Sequence, residues 1–151
     1  MPLSVCADID TKVLRLATVE ESNLKTHAYL TLEVLYASRR FHSNGDHVEM
    51  MLRSMLENQE VLSGYKGSTQ MTASEHDEMR VIAYIQSTTQ VMLNFATAQG
   101  VRSSEVLRYI STCFSVFCEY FQNTTVRIRN AAFSALRMIL QQGLKREYFT
   151  E

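Results

Sequence analysis

NTTVRIRNAAFSALRMILQQGL, residues Asn123 to Leu144, is the stretch whose reading decides the fold class. Set on a helix, Ile128, Ala131, Ala132, Ala135, Leu136 and Ile139 fall at i, i+3, i+4, i+7, i+8 and i+11 and form one continuous apolar face. Arg127, Asn130, Ser134, Arg137 and Gln141 make a polar stripe on another side. Asn123, Thr124 or Thr125 offers a side-chain oxygen to the unpaired N–H groups at the helix start. Gly143 is placed to end the helix in a left-handed conformation. The three alanines let a neighbouring helix come close.

The same helix type occurs earlier. Asn23 to Tyr36 reads NLKTHAYLTLEVLY. Laying Leu24 on Ile128 puts Lys25 on Arg129, Ala28 on Ala132, Tyr29 on Phe133, Leu32 on Leu136 and Leu35 on Ile139. The order Ile-Arg-x-x-Ala-x-x-Ala-Leu-x-x-Ile from Ile128 resembles the second helix of a HEAT or armadillo repeat. In those repeats an aliphatic–Arg pair opens the helix and small residues line its inner face. The resemblance implies structural roles for Leu24, Ala28, Leu32, Ile128, Arg129, Ala132 and Leu136, with Arg129 packed inside its repeat. Two copies suggest repetition of a helical unit.

Composition bounds the rest. A chain of 151 residues, 46% apolar and with net charge −1, can bury a real core and is neither disordered nor strongly basic. One Pro and five Gly leave little punctuation for β structure, which favours an all-α fold. Cys6, Cys113 and Cys118 are odd in number and have no framework spacing, which points to a reducing compartment. No signal peptide is visible, because Asp8 and Asp10 follow at once. Val81 to Val101 carries no charge, but Gln86, Ser87, Thr88, Thr89, Gln90, Asn94 and Gln99 would be costly in hydrocarbon. The segment reads as a helix buried by protein, with no membrane partner.

Taken in order, Asp10 or Thr11 is placed to cap a first helix through about Val19. Thr18 and Glu21 have capping-box spacing for a second that runs to about Arg40. Phe41 to Asp46 is a turn around Asn44-Gly45. A third helix follows, with Val48, Met51, Leu52, Met55 and Leu56 on one face. Ser63 to Ala73 reads as a loop inside a single 1–151 domain. Thr72 with Glu75, or Ser74 with Asp77, caps a fourth helix to about Gln99, where Gly100 breaks the chain. Ser103 or Ser104 opens a fifth, in which Val106, Ile110, Cys113, Phe117 and Phe121 share a face beside Leu107 and Phe114. The expectation is six helices in three antiparallel pairs, stacked as a short HEAT-like α-solenoid, with a closed helical bundle as the alternative. Leu3, Val5, Leu144, Tyr148 and Phe149 do not look like the polar caps that end an array, so the chain reads as a segment of a longer one.

Thr89 to Ala132 looks like the HEAT-type repeats of ribosomal-RNA-processing factors that act on the small-subunit pre-ribosome. The residues carrying the likeness are Glu105-Val106-Leu107-Arg108-Tyr109, Cys113-Phe114-Ser115-Val116-Phe117 and Val126-Arg127-Ile128-Arg129-Asn130-Ala131-Ala132. The likeness implies a nuclear or nucleolar scaffold without catalysis that binds protein and, as a further option, RNA.

No catalytic constellation is present. His42, His47 and His76 lie near Asp46, Glu49 and Asp77 in sequence, but no i, i+4 His pair or CxxC spacing supports a metal, and surface histidines are the simpler reading. His27 falls at an inward helix position and reads as packed. Cys113 and Cys118 project differently from one helix, and Cys113 reads as a small core residue. Asn123-Thr124-Thr125 matches a glycosylation acceptor but serves better as a cap. Lys66-Gly67-Ser68-Thr69 lacks the glycine spacing and the strand of a phosphate loop. No cofactor and no small-molecule substrate is implied.

Residues 41–80 carry seven acids against Arg53, Lys66 and Arg80, whereas residues 101–151 carry seven basic residues against four acids. Within the basic part, Arg102, Arg108, Arg127 and Arg137 are candidates for a ridge that contacts a partner protein or RNA phosphates, because the planar guanidinium binds carboxylate and phosphate bidentately. The expected function is a scaffold for protein–protein interaction in ribosome biogenesis. Its alternatives are an RNA-contacting assembly factor using that ridge, or a closed regulatory bundle.

Overall fold

A computed structural model of the protein describes residues 3–17, 22–38, 45–59, 75–98, 102–120 and 126–145. The elements are α1 (Leu3–Ala17), α2 (Ser22–Ala37), α3 (Gly45–Glu57), α4 (Glu75–Thr97), α5 (Ser103–Tyr120) and α6 (Val126–Lys145). Among the described residues the protein is all-α, with six helices and no strand. The 63–73 loop, the Thr18–Glu21 box, the caps at Thr72, Ser74 and Asn123–Thr125, and the Phe41–Asn44 part of the turn lie outside them.

Two helix boundaries differ from expectation. α1 begins at Leu3, so Asp10 and Thr11 lie inside it and do not cap it. Its turns are linked by an ion pair from Lys12 Nζ to Asp8 Oδ2, 3.0 Å apart and one turn away. Gly143 does not stop α6, which continues to Lys145; glycine in a helix costs only about 0.5–1 kcal/mol relative to alanine.

The helix faces follow the apolar period. Val48, Met51, Leu52, Met55 and Leu56 are all buried on α3. Val106, Ile110, Cys113 and Phe117 are buried on α5, joined by Tyr109, Val116 and Tyr120. On α6, Ile128, Ala132, Ala135 and Ile139 are buried, and Ala131 and Leu136 pack partly against the core. The stripe of Arg127, Asn130, Ser134, Arg137 and Gln141 is exposed.

α4 is the centre of the molecule. It packs against α2, α3, α5 and α6, and its interface with α2 is the largest between any two helices. Val81, Tyr84, Ile85, Val91, Met92 and Phe95 are fully or almost fully buried. So are Ser87, Thr88 and Thr89. Two of the three hydroxyls bond their own helix: Ser87 Oγ donates to the Tyr84 carbonyl at 3.1 Å and Thr89 Oγ1 to the Ile85 carbonyl at 2.7 Å, whereas Thr88 Oγ1 is buried without a hydrogen-bond partner among the described residues. Among the described residues, no helix is long and apolar enough to cross a membrane.

α4 also completes the helices before it. The last carbonyls of a helix have no partner within it. Tyr84 Oη donates to the Met55 carbonyl at the end of α3 at 2.8 Å, and Asn94 Nδ2 donates to the Tyr36 carbonyl at the end of α2. Tyr29 meets Tyr84 edge-on, with ring centroids 5.5 Å apart. Because Tyr29 pairs with Tyr84 and Tyr36 with Asn94, α2 and α4 run in the same direction.

The remaining contacts form a ladder. α1 touches α3 and α3 touches α5; α2 touches α4 and α4 touches α6; α1–α2, α3–α4 and α5–α6 join the two rows. Among the described residues, α1 and α2 make no helix–helix contact with α5 or α6.

The register expected between α2 and α6 is off by one. Leu24, laid on the fully buried Ile128, is 37% exposed, and Phe133, laid on the buried Tyr29, is 61% exposed. The burial patterns instead align Tyr29, Leu32 and Tyr36 with Ala132, Ala135 and Ile139. Ala28 is buried as well. Tyr29 goes inward because its ring packs edge-on against Tyr84 of α4. His27, expected to be packed, is exposed.

Candidate functional site

An open groove of about 480 Å³ lies along α2, α4 and α6. α4 supplies Ile82, Gln86, Thr89 and Gln90; α6 supplies Asn130, Ala131, Ser134, Ala135 and Met138; α2 contributes Glu33. Ala131 and Ala135 leave space where larger residues would fill it. Asn130 and Ser134 of the α6 stripe and Gln86, Thr89 and Gln90 of α4 therefore face one cleft.

The chemistry of the lining is unspent. Among the described residues, the side chains of Glu33, Gln86, Gln90, Asn130 and Ser134 have no hydrogen-bond or ionic partner. Burial raises the Glu33 carboxyl above its ordinary value, and no cation opposes the shift. Arg127, at the α6 edge of the groove, is already engaged: its Nε lies 3.2 Å from Glu78 Oε1 on α4, an ion pair not aligned as a hydrogen bond. Glu78 is 14% exposed in its side chain and Arg127 67%.

A second polar cluster joins α3 to α5. Glu49 Oε1 accepts from Arg53 Nη2 at 2.7 Å and from the Tyr109 hydroxyl at 2.9 Å. The same hydroxyl accepts from Arg53 Nε at 3.4 Å. Arg108 lies over the Tyr109 ring, 5.1 Å from its centroid, with Nη2 3.9 Å from Glu49. Phe95 of α4 closes on Tyr109 from inside, edge-on at 5.0 Å. Every group here is bonded to another, so the cluster fastens helices together.

The arginines of the expected ridge have different neighbours. Arg108 belongs to the α3–α5 cluster and Arg127 to the α4–α6 groove edge. Arg102 precedes α5, where its carbonyl accepts the Glu105 and Val106 N–H groups, both at 3.1 Å. Arg137 is exposed on α6 and Arg129 is half-buried. Two of the four candidates thus face acids of this chain.

Cys113 is fully buried, and burial pushes its thiol up to about 12. Cys118 is exposed and free. Among the described residues no group of three His, Cys, Asp or Glu side chains could hold a metal; His42 and the side chain of His76 lie outside them. Glu33 and the α4 glutamines were not among the sequence candidates. The signal available was the run Gln86–Gln90, polar residues within the uncharged part of α4 that follows Arg80.

Comparison with family models, curated proteins and solved structures returns no match to this chain.

Proposed function

We propose that the chain is a non-catalytic helical scaffold, a short HEAT-like stack of three antiparallel helix pairs that holds an extended segment of a partner protein in the α2–α4–α6 groove. The carrying observation is the lining: amide, hydroxyl and carboxylate groups without partners beside an apolar floor. An amide side chain offers both a donor and an acceptor, as a peptide backbone does. The two-row ladder of contacts supports the stack, because a closed bundle would bring its first and last helices together. The RNA reading is weaker, since Arg127 and Arg108 face Glu78 and Glu49 and phosphate binding draws on free cations. The likeness to ribosomal-RNA-processing factors makes pre-ribosomal proteins the expected partners, in the nucleus or nucleolus.

The test places a photo-activated cross-linker at Gln86 in the groove or at Glu57, exposed on α3. A protease-sensitive, nuclease-resistant adduct from Gln86 and not from Glu57 is the expected result. An adduct destroyed by nuclease would replace the reading with RNA binding, and adducts from Glu57 alone would move the interface to α3. The identity of the adduct protein tests the ribosomal setting.

A further inference from the structure

Resting on the groove reading above, we infer that the bound segment carries a lysine or arginine that pairs with Glu33. Glu33 is the one acid among the described groove residues, and it has no ionic partner. The one cation among them, Arg127, is offset by Glu78. The groove therefore presents one uncompensated negative charge on its α2 wall and uncharged amides beside its apolar floor. An anionic ligand would meet Glu33 unpaired and find the guanidinium already occupied. A neutral one would leave a partly desolvated carboxylate without compensation. A cationic side chain answers both conditions. Burial holds the Glu33 carboxyl above its ordinary value, and a partner ammonium or guanidinium would reverse that shift.

Helices packed side by side lie about 8–10 Å apart, so crossing from α2 to α6 covers about 16–20 Å. An extended chain spans that with five or six residues. Gln86, Gln90 and Asn130 are then within the path of its backbone, and Glu33 lies at one end.

The experiment is a selection of displayed random heptapeptides on the intact chain, followed by titration of labelled synthetic winners. Each winner is compared with a counterpart in which every Lys and Arg is Ala, on the unaltered chain, on Glu33→Gln, and on the groove-filling variants Gln86→Trp and Ser134→Trp. Circular dichroism melts confirm that the variants fold. The expected result is enrichment of one basic position, and about fivefold weaker binding when that residue becomes Ala, the size of a partly buried ion pair. That discrimination disappears in Glu33→Gln, and binding disappears in both tryptophan variants. Winners that need the groove but lack a basic residue, or that carry an acid, overturn the Glu33 pairing and leave the peptide groove standing. Winners that bind the folded tryptophan variants as well as the unaltered chain overturn the groove reading itself. A labelled single-stranded RNA, run beside the peptides and bound only when the groove is open, overturns both.

Discussion

Tyr84 carries two tasks on one ring. Its hydroxyl closes the end of α3 through the Met55 carbonyl, and its ring packs on Tyr29 of α2. Tyr84→Phe keeps the ring and removes the bond, leaving a carbonyl unpaired in a buried place. The expected loss is about 1–3 kcal/mol, read from urea unfolding. Burial also raises the hydroxyl's pKa above its ordinary value, with Tyr120, Tyr29 and Cys113 adding to the effect. Cys113 is pushed up to about 12 by the same burial, so it stays a neutral thiol at pH 8. Iodoacetamide at that pH will label Cys118 in the folded protein and reach Cys113 only after unfolding, as peptide mass spectrometry will show. Glu33 shifts upward too, and here the sign matters for stability. The folded state holds the proton longer than the unfolded one, so stability declines as pH rises from the ordinary carboxylate value through the raised one. Glu33→Gln removes that decline: the variant melts slightly higher at pH 7, and the difference closes at acidic pH.

At the scale of the element, α6 shows why small residues sit where they do. Ala132 is fully buried and Ala135 nearly so, on a helix that packs against both α4 and α5. Adding three carbons at that place forces helices apart or side chains out of their preferred rotamers. Ala132→Leu is expected to cost about 1–3 kcal/mol, whereas Phe133→Ser, one residue away and exposed, should change stability by no more than about 0.5 kcal/mol. Denaturant midpoints of the two variants give the comparison. The alanine face and the five-residue face of α3 were legible in the sequence because helical period is local. The register of α2 was not. Leu24 and Tyr29 are both apolar enough to be inward, and the choice rests on Tyr84, which is 55 positions beyond Tyr29.

For the whole molecule, the arginines separate into those the fold uses and those it leaves free. Arg127 offsets Glu78, whose side chain is mostly buried. Arg127→Ala leaves that carboxylate alone; discounted for the exposure of the arginine, the loss is about 1–2 kcal/mol. Arg137→Ala, on the exposed stripe of the same helix, should stay within about 0.5 kcal/mol of the parent in thermal melts. Equal effects would mean that the α4–α6 pair contributes nothing. The contrast bears on partner studies also, because a charge reversal at Arg127 places two acids together and alters the groove as well as any ridge.

The sequence by itself determined that the chain is helical, how many helices the described residues form, and which face of α3, α5 and α6 turns inward. These follow from the spacing of apolar residues within single helices. Only the tertiary structure decided how the polar groups are used. Glu49 reaches Tyr109 across 60 positions and Asn94 reaches Tyr36 across 58, distances in sequence over which no local pattern extends. The same long-range packing brought Glu33, the α4 glutamines and Asn130 and Ser134 of α6 to one groove, and it set Arg127 and Arg108 against acids on other helices. A side chain's charge is written in the chain, but whether that charge is spent depends on its neighbours in space.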